Sequence, residues 1–170
     1  TVQLVDTATP GVRVEITADK EQALNLGQLL AESGRIGVVG AVVRNSGRIS
    51  ASSVTQAGGR IFLKASQDVT VAGSGSVEAN GVTGGQADIL GDAVVLSDTA
   101  RVDVSGTQGG GTIRIGGDTQ GKGTDVQNAL TTTVGGDVVL KADALTQGKG
   151  GKVVVWADEA THMNGSISAR

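Results

Sequence analysis

Apolar and polar residues alternate along this chain in short runs that paired glycines punctuate. The pairs fall at Gly58-Gly59, Gly84-Gly85, Gly110-Gly111 and Gly150-Gly151, in successive steps of 26, 26 and 40 residues. After each pair, apolar residues stand two and four places on: Ile61 and Leu63, Ala87 and Ile89, Ile113 and Ile115, Val153 and Val155. Alternation with a period of two predicts a strand with one buried face, the residues between pointing outward. A second alternating set precedes each pair, with Ile49 and Ala51, Val77 and Ala79, and Val102 and Val104, and it begins again at Ile167 and Ala169. Runs from Asp68 (DVTV) and Asp92 (DAVVL) supply a third set between the other two. The repeat therefore carries three short strands.

Strands of about four residues cannot bury their apolar side chains within one repeat, whereas stacked repeats can, each coil pairing with the next at roughly 4.8 Å. The expected fold is all-β: a parallel β-helix of roughly six coils, right-handed by analogy with crossover connections. A β-sandwich would also show short alternating strands, but it gives no reason for a repeated phase. The whole chain, 1–170, reads as a single β-helix segment. Near the N-terminus, GVRVEITA (11–18) alternates with Val12, Val14 and Ile16 on one face. The stretch 19–33 has helix-friendly composition with Asp19 as a possible N-cap. Leu24 and Leu26 alternate up to Gly27, which favours another coil there with the leucines inward.

Composition changes the picture of the interior. With 28 Gly, one Trp, one Phe, no Tyr and 38% apolar residues in 170, aliphatic side chains and Ala must fill nearly all the core, which has to be narrow. Basic and acidic residues number 14 and 17, scattered along the chain, for a net charge of −3. No basic stripe is visible in the sequence to neutralise phosphates or anionic lipid, so nucleic acid is not an expected partner. No apolar run approaches the roughly 20 residues of a membrane span, so membrane insertion is not expected. Cysteine is absent, which excludes a disulfide framework and thiolate metal sites. The chain has no initiator Met and no signal-peptide pattern, and is read as a piece of a longer protein.

Several phrases resemble the filamentous haemagglutinin family, the long exoproteins of bacterial two-partner secretion. They are ALNLGQLLAESGRIGVVGAVVRNSGRISA (23–51), IRIGGDTQGKGTDVQNALTTTV (113–134) and ADALTQGKGGKVVVWADEATHMNGSISAR (142–170). The resemblance implies a secreted or cell-surface bacterial filamentous adhesin with a right-handed β-helical shaft, acting in adhesion or biofilm formation and in some relatives carrying a toxin. It implies an outer-membrane secretion partner for the full-length protein and a host or bacterial glycan or protein as receptor. On this resemblance the piece is shaft, unlike the secretion-signal domain of such exoproteins. Open coil ends also make end-to-end self-association of the fragment an expectation.

Candidate chemistry is sparse. The long step places an inserted loop at about 116–136, whose Asp118, Lys122, Asp125, Gln127 and Asn128 have side chains suited to contacting sugar hydroxyls or a protein partner. The plainer reading is that the loop covers one flank of the shaft, with Ala129 and Leu130 packed on it. Its GGDTQGKG lacks the spacing of a phosphate loop, and the acidic residues do not follow a calcium-binding nonapeptide; a cation shared by Asp118 and Asp125 is a minor reading. Trp156 is expected to point outward, its indole covering Gly116 of the neighbouring coil or serving, with Phe62, as a platform for a sugar ring. The third position after each glycine pair reads Phe62, Asp88, Arg114, Val154, predicting an exposed Asp88–Arg114 ion pair on the outer face. His162 is the only histidine and sits in a turn-like stretch. No catalytic residue, metal or cofactor is assigned, and the chain is not read as an enzyme. A carbohydrate-binding or polysaccharide-degrading β-helix module is the alternative.

Overall fold

A computed structural model describes residues 2–5 and 13–170 of the chain. Val12, assigned above to the face of Val14, lies outside the described residues. Among those described, seventeen strands and one 3-10 turn form a parallel β-helix of six coils.

The first two coils are built by long strands that run round a corner without a break. Coil 1 comprises β2 (Arg13–Asn25) and β3 (Gln28–Leu30), and coil 2 comprises β4 (Arg35–Asn45) and β5 (Arg48–Ser50). From coil 3 each turn has three separate strands. These are β6 (Arg60–Ala65), β7 (Asp68–Val71) and β8 (Ser76–Glu78), then β9 (Gln86–Leu90), β10 (Ala93–Leu96) and β11 (Arg101–Asp103). Coil 5 has β12 (Thr112–Ile115), β13 (Thr131–Val134) and β14 (Val139–Lys141), and coil 6 has β15 (Lys152–Val155), β16 (Ala160–Met163) and β17 (Ser166–Ser168). A further strand, β1 (Val2–Val5), pairs antiparallel with the start of β2.

Three faces result. On the first, β4 pairs with β6 through Arg35–Gly40, and β6, β9, β12 and β15 follow in order. On the second, the later part of β4 pairs with β7, followed by β10, β13 and β16. The third runs β3, β5, β8, β11, β14, β17. The expected interior rung is present: Ile61, Ala87, Ile113 and Val153 are successive register partners. Ile61, Leu63, Ile89, Ile113 and Ile115 are fully buried, as are Ile49, Val77, Val102 and Leu140 on the third face. Burying one such side chain stabilises the column by about 1.5–3 kcal/mol.

The glycine pairs mark the seam where each coil meets the first face. A Cβ at Gly85 would overlap the carbonyl oxygen of Gly59, and one at Gly111 that of Gly85. Those oxygens accept hydrogen bonds from Gln86 N–H (3.0 Å) and Thr112 N–H (2.9 Å) of the next coil, so the backbones must approach too closely for any side chain.

Two expectations are corrected. Residues 19–33 form coil, not helix, but with the opposite side-chain phase to the one expected: Leu24 and Leu26 are exposed, whereas Ala23 and Asn25 point inward. The cause is an amide ladder. Asn25 Nδ2 donates to Asn45 Oδ1 at 2.8 Å, and this pairing of two buried amides fixes the register Asn25↔Asn45. A one-residue slip would reverse the face of every side chain and leave both amides unpaired. The insertion is also shorter than expected. Thr131–Val134 is the second strand of coil 5, with Thr132 and Val134 inward, so the extra residues are 116–130.

Candidate functional site

The outer surface of the first face carries the most concentrated side-chain chemistry among the described residues. Its central ladder is the expected one, Phe62↔Asp88↔Arg114↔Val154 in register. The Asp88–Arg114 pair exists, but its expected exposure is corrected: the Asp88 side chain is 2% exposed and that of Arg114 12%. The guanidinium holds the carboxylate with two bonds, Nε to Oδ1 at 2.7 Å and Nη2 to Oδ2 at 3.0 Å. Arg60 reaches Oδ2 from the coil on the other side at 3.0 Å, and Gln86 Nε2 donates to both oxygens. Burial opposes the charge on Asp88, yet hydrogen bonds from Arg114, Gln86 and Arg60 hold its carboxyl below the ordinary range.

The network continues into the inserted loop. Arg114 Nη1 donates to Asp118 Oδ2 at 3.2 Å, and Lys152 Nζ lies 3.8 Å from Asp118 Oδ1. Asp118 also caps the 3-10 turn Thr119–Gly121 by accepting from Thr119 N–H, and this bond, followed by the Arg114 and Lys152 charges, lowers its pKa. An unbroken chain of charges therefore runs from Arg60 on coil 3 through Asp88, Arg114 and Asp118 to Lys152 on coil 6. Asp118 works here as a clasp for the loop. It does not form a cation site with Asp125, and no cluster of three metal-ligating side chains occurs among the described residues.

Trp156 completes the attachment. It points outward as expected, and its indole lies against Gly117 and Gly121 of the loop, where added Cβ atoms would meet the ring at 2.9 Å. The ring therefore covers loop backbone just beyond the expected Gly116, which instead abuts the Trp156 carbonyl. Gly121 has φ +64°, a conformation glycine adopts without strain. The indole N–H donates to Asp158 Oδ1 at 2.9 Å, and Asn128 Nδ2 donates to the same oxygen and to the Gly121 carbonyl. Gln127 Nε2 donates to Asp92 at 2.7 Å, and Lys122 Nζ donates to Gln120 within the loop. Ala129 is fully buried as expected; Leu130 is 48% exposed and is not part of that packing. The loop thus covers a flank of the column.

Phe62 lies elsewhere. It stands three coils from Trp156, its ring occupying the space a side chain at Gly37 would need, with the Arg35 guanidinium 4.9 Å from its centroid. The two aromatics do not share a groove. His162 is outward on β16, paired in register with Thr133.

The structure also reveals a row of residues that the sequence reading passed over. The position immediately after each glycine pair, Arg60, Gln86, Thr112 and Lys152, forms one rung-to-rung ladder with Arg35 and Arg13 of the first two coils. All six are hydrogen-bond donors and none is acidic. The glycine register contained this signal, but attention to charge along the chain hid it because the residues lie 22 to 40 positions apart.

No family model and no curated protein matches the chain. A solved structure corrects the expectation that the piece is unlike a secretion-signal domain. Glycine seam and aliphatic rungs mark a coil as such, and the packing rules are the same wherever in a β-helix the coil sits, so the pattern cannot separate shaft from export domain. With 35% sequence identity and a TM-score of 0.77, the chain is similar to the HMW1 secretion domain from Haemophilus influenzae, a match covering 88% of this chain and 40% of that one.

Proposed function

We propose that this chain is a β-helical segment of a secreted bacterial adhesin of the filamentous haemagglutinin type, exported by two-partner secretion, in which it serves export and begins the rigid shaft. The observation that carries this reading is the similarity to a secretion domain over nearly the whole chain at 35% identity. The regular six-coil column supports it further, because each completed coil offers paired edges on which the next can form. In this role the chain is a scaffold and not an enzyme: its buried charges neutralise one another and its one histidine is isolated on the last coil. The finished protein would act outside the cell or on its surface, in adhesion or biofilm formation, through a glycan or protein receptor.

Replacing the matching segment of the HMW1 secretion domain with this chain, in cells that also make the outer-membrane secretion partner, tests the export role. Release of the chimera into the medium is the expected result. Retention of a chimera that folds, as judged by protease resistance of its β-helix, would overturn it. The unpaired outer edge of coil 6 further implies end-to-end association of the isolated segment, which sedimentation at increasing concentration would register as a growing mass.

A further inference from the structure

The donor ladder borders an open groove of about 630 Å³ whose floor is the glycine seam. Gly34, Gly58-Gly59, Gly84-Gly85 and Gly110-Gly111 line it on one side, and Arg35, Arg60, Gln86 and Thr112 on the other. Three arginines, Arg13, Arg35 and Arg60, occupy consecutive rungs roughly 4.8 Å apart, an arrangement in which like charges repel. Two of them are compensated: Arg13 pairs with Glu15 and Arg60 with Asp88. Arg35, between them, has the Phe62 ring but no carboxylate partner among the described residues. On a protein with net charge −3, this is a local excess of positive charge that the fold does not use.

The geometry points to this groove as a binding site for a linear anionic glycan, its carboxylate or sulfate groups meeting Arg35 and its rung neighbours while its hydroxyls meet Gln86 and Thr112. Guanidinium forks match such planar or tripod anions with paired, charge-assisted hydrogen bonds. The bare glycine floor lets a flat sugar ring approach the backbone without meeting side chains. The repeat also favours a glycan over a peptide. One pyranose ring is about as long as one rung, whereas same-side residues of an extended peptide recur about every 6.6 Å and fall out of step with the ladder. This inference does not depend on the export role. The site is distinct from the loop and from Trp156, and a chain that failed to direct export would still bind here.

The test is binding of the whole chain to polygalacturonate and to heparin, which separate carboxylate from sulfate as the anion, with neutral amylose, polyglutamate and single-stranded DNA as comparisons. Binding to at least one acidic glycan that weakens as salt rises is expected, with little binding to the others. Arg35→Glu should lower affinity at least about tenfold, the scale of one lost charge-assisted contact. Arg44→Glu, the same charge change at an exposed site on the second face, should leave it within about twofold. Circular dichroism melts establish that both variants are folded. Equal losses in the two variants, equal binding to polyglutamate or DNA, or no binding to either acidic glycan would each overturn the proposal.

Discussion

Two ion pairs of the same chemistry join neighbouring coils on different faces of the column. Arg48 and Glu78 meet at 2.7 Å on the third face with side chains 49% and 21% exposed; Arg114 and Asp88 meet at 2.7 Å on the first face with side chains 12% and 2% exposed. Distance alone would rank them equal. In water-accessible surroundings the first gains little, because solvent and salt screen it. The second sits in a low-dielectric environment, where breaking it strands charges that cannot be resolvated. The difference lies not in the partners but in what covers them, and on the first face the neighbouring cover is a 15-residue excursion, 116–130, held down by Asp118, Asn128 and Trp156.

Asp88→Ala is the strongest way to break this contrast. It leaves Arg114 and Arg60 without their shared counter-charge and should cost about 3–5 kcal/mol in a urea unfolding titration. The same carboxyl gives the contrast a pH signature. Its folded pKa is depressed, so its contribution is fully present above the unfolded value near 3.9 and is lost as pH falls through the folded one. The stability gap between wild type and Asp88→Asn, measured by urea titration at a series of pH values, should therefore be flat from pH 7 to about pH 5 and close on further acidification. A constant gap down to pH 2 would contradict the assignment of the pair. Trp156→Ala removes the cover rather than the charges; because the ring is partly exposed, about 1–2 kcal/mol is expected, with faster tryptic cleavage at Lys122 than in wild type. Arg48→Ala should change stability by no more than about 0.5 kcal/mol, and that small effect should vanish in 1 M salt.

Much of the column was legible before the structure. Glycine pairs fix the seam, and the residues two and four places after them fall on interior rungs, so strand number, coil number and even the Phe62–Asp88–Arg114–Val154 ladder follow from counting. What counting could not deliver was anything decided between coils by side-chain partners. Leu24 and Leu26 alternate as convincingly as any inward pair, yet the Asn25–Asn45 amide bond sets the opposite phase. The burial of Asp88 depends on the path of a loop outside the repeat. Asp118 and Asn128 have side chains suited to ligand contact, and in the folded chain both are spent holding that loop in place. The row Arg13, Arg35, Arg60 was hidden by the opposite failing: its members are ordinary surface residues until the coils bring them side by side.

The backbone hydrogen bonds between coils point along the length of the column, from Gly59 O to Gln86 N and from Gly85 O to Thr112 N. Traction on a tethered fibre would therefore strip turns from a free end one after another, like thread from a spool, instead of shearing all its bonds together. The charge chain from Arg60 to Lys152 stitches four consecutive windings crosswise to that sequence. Under load it would serve as a ratchet stop, holding the windings beneath it until its own links give way.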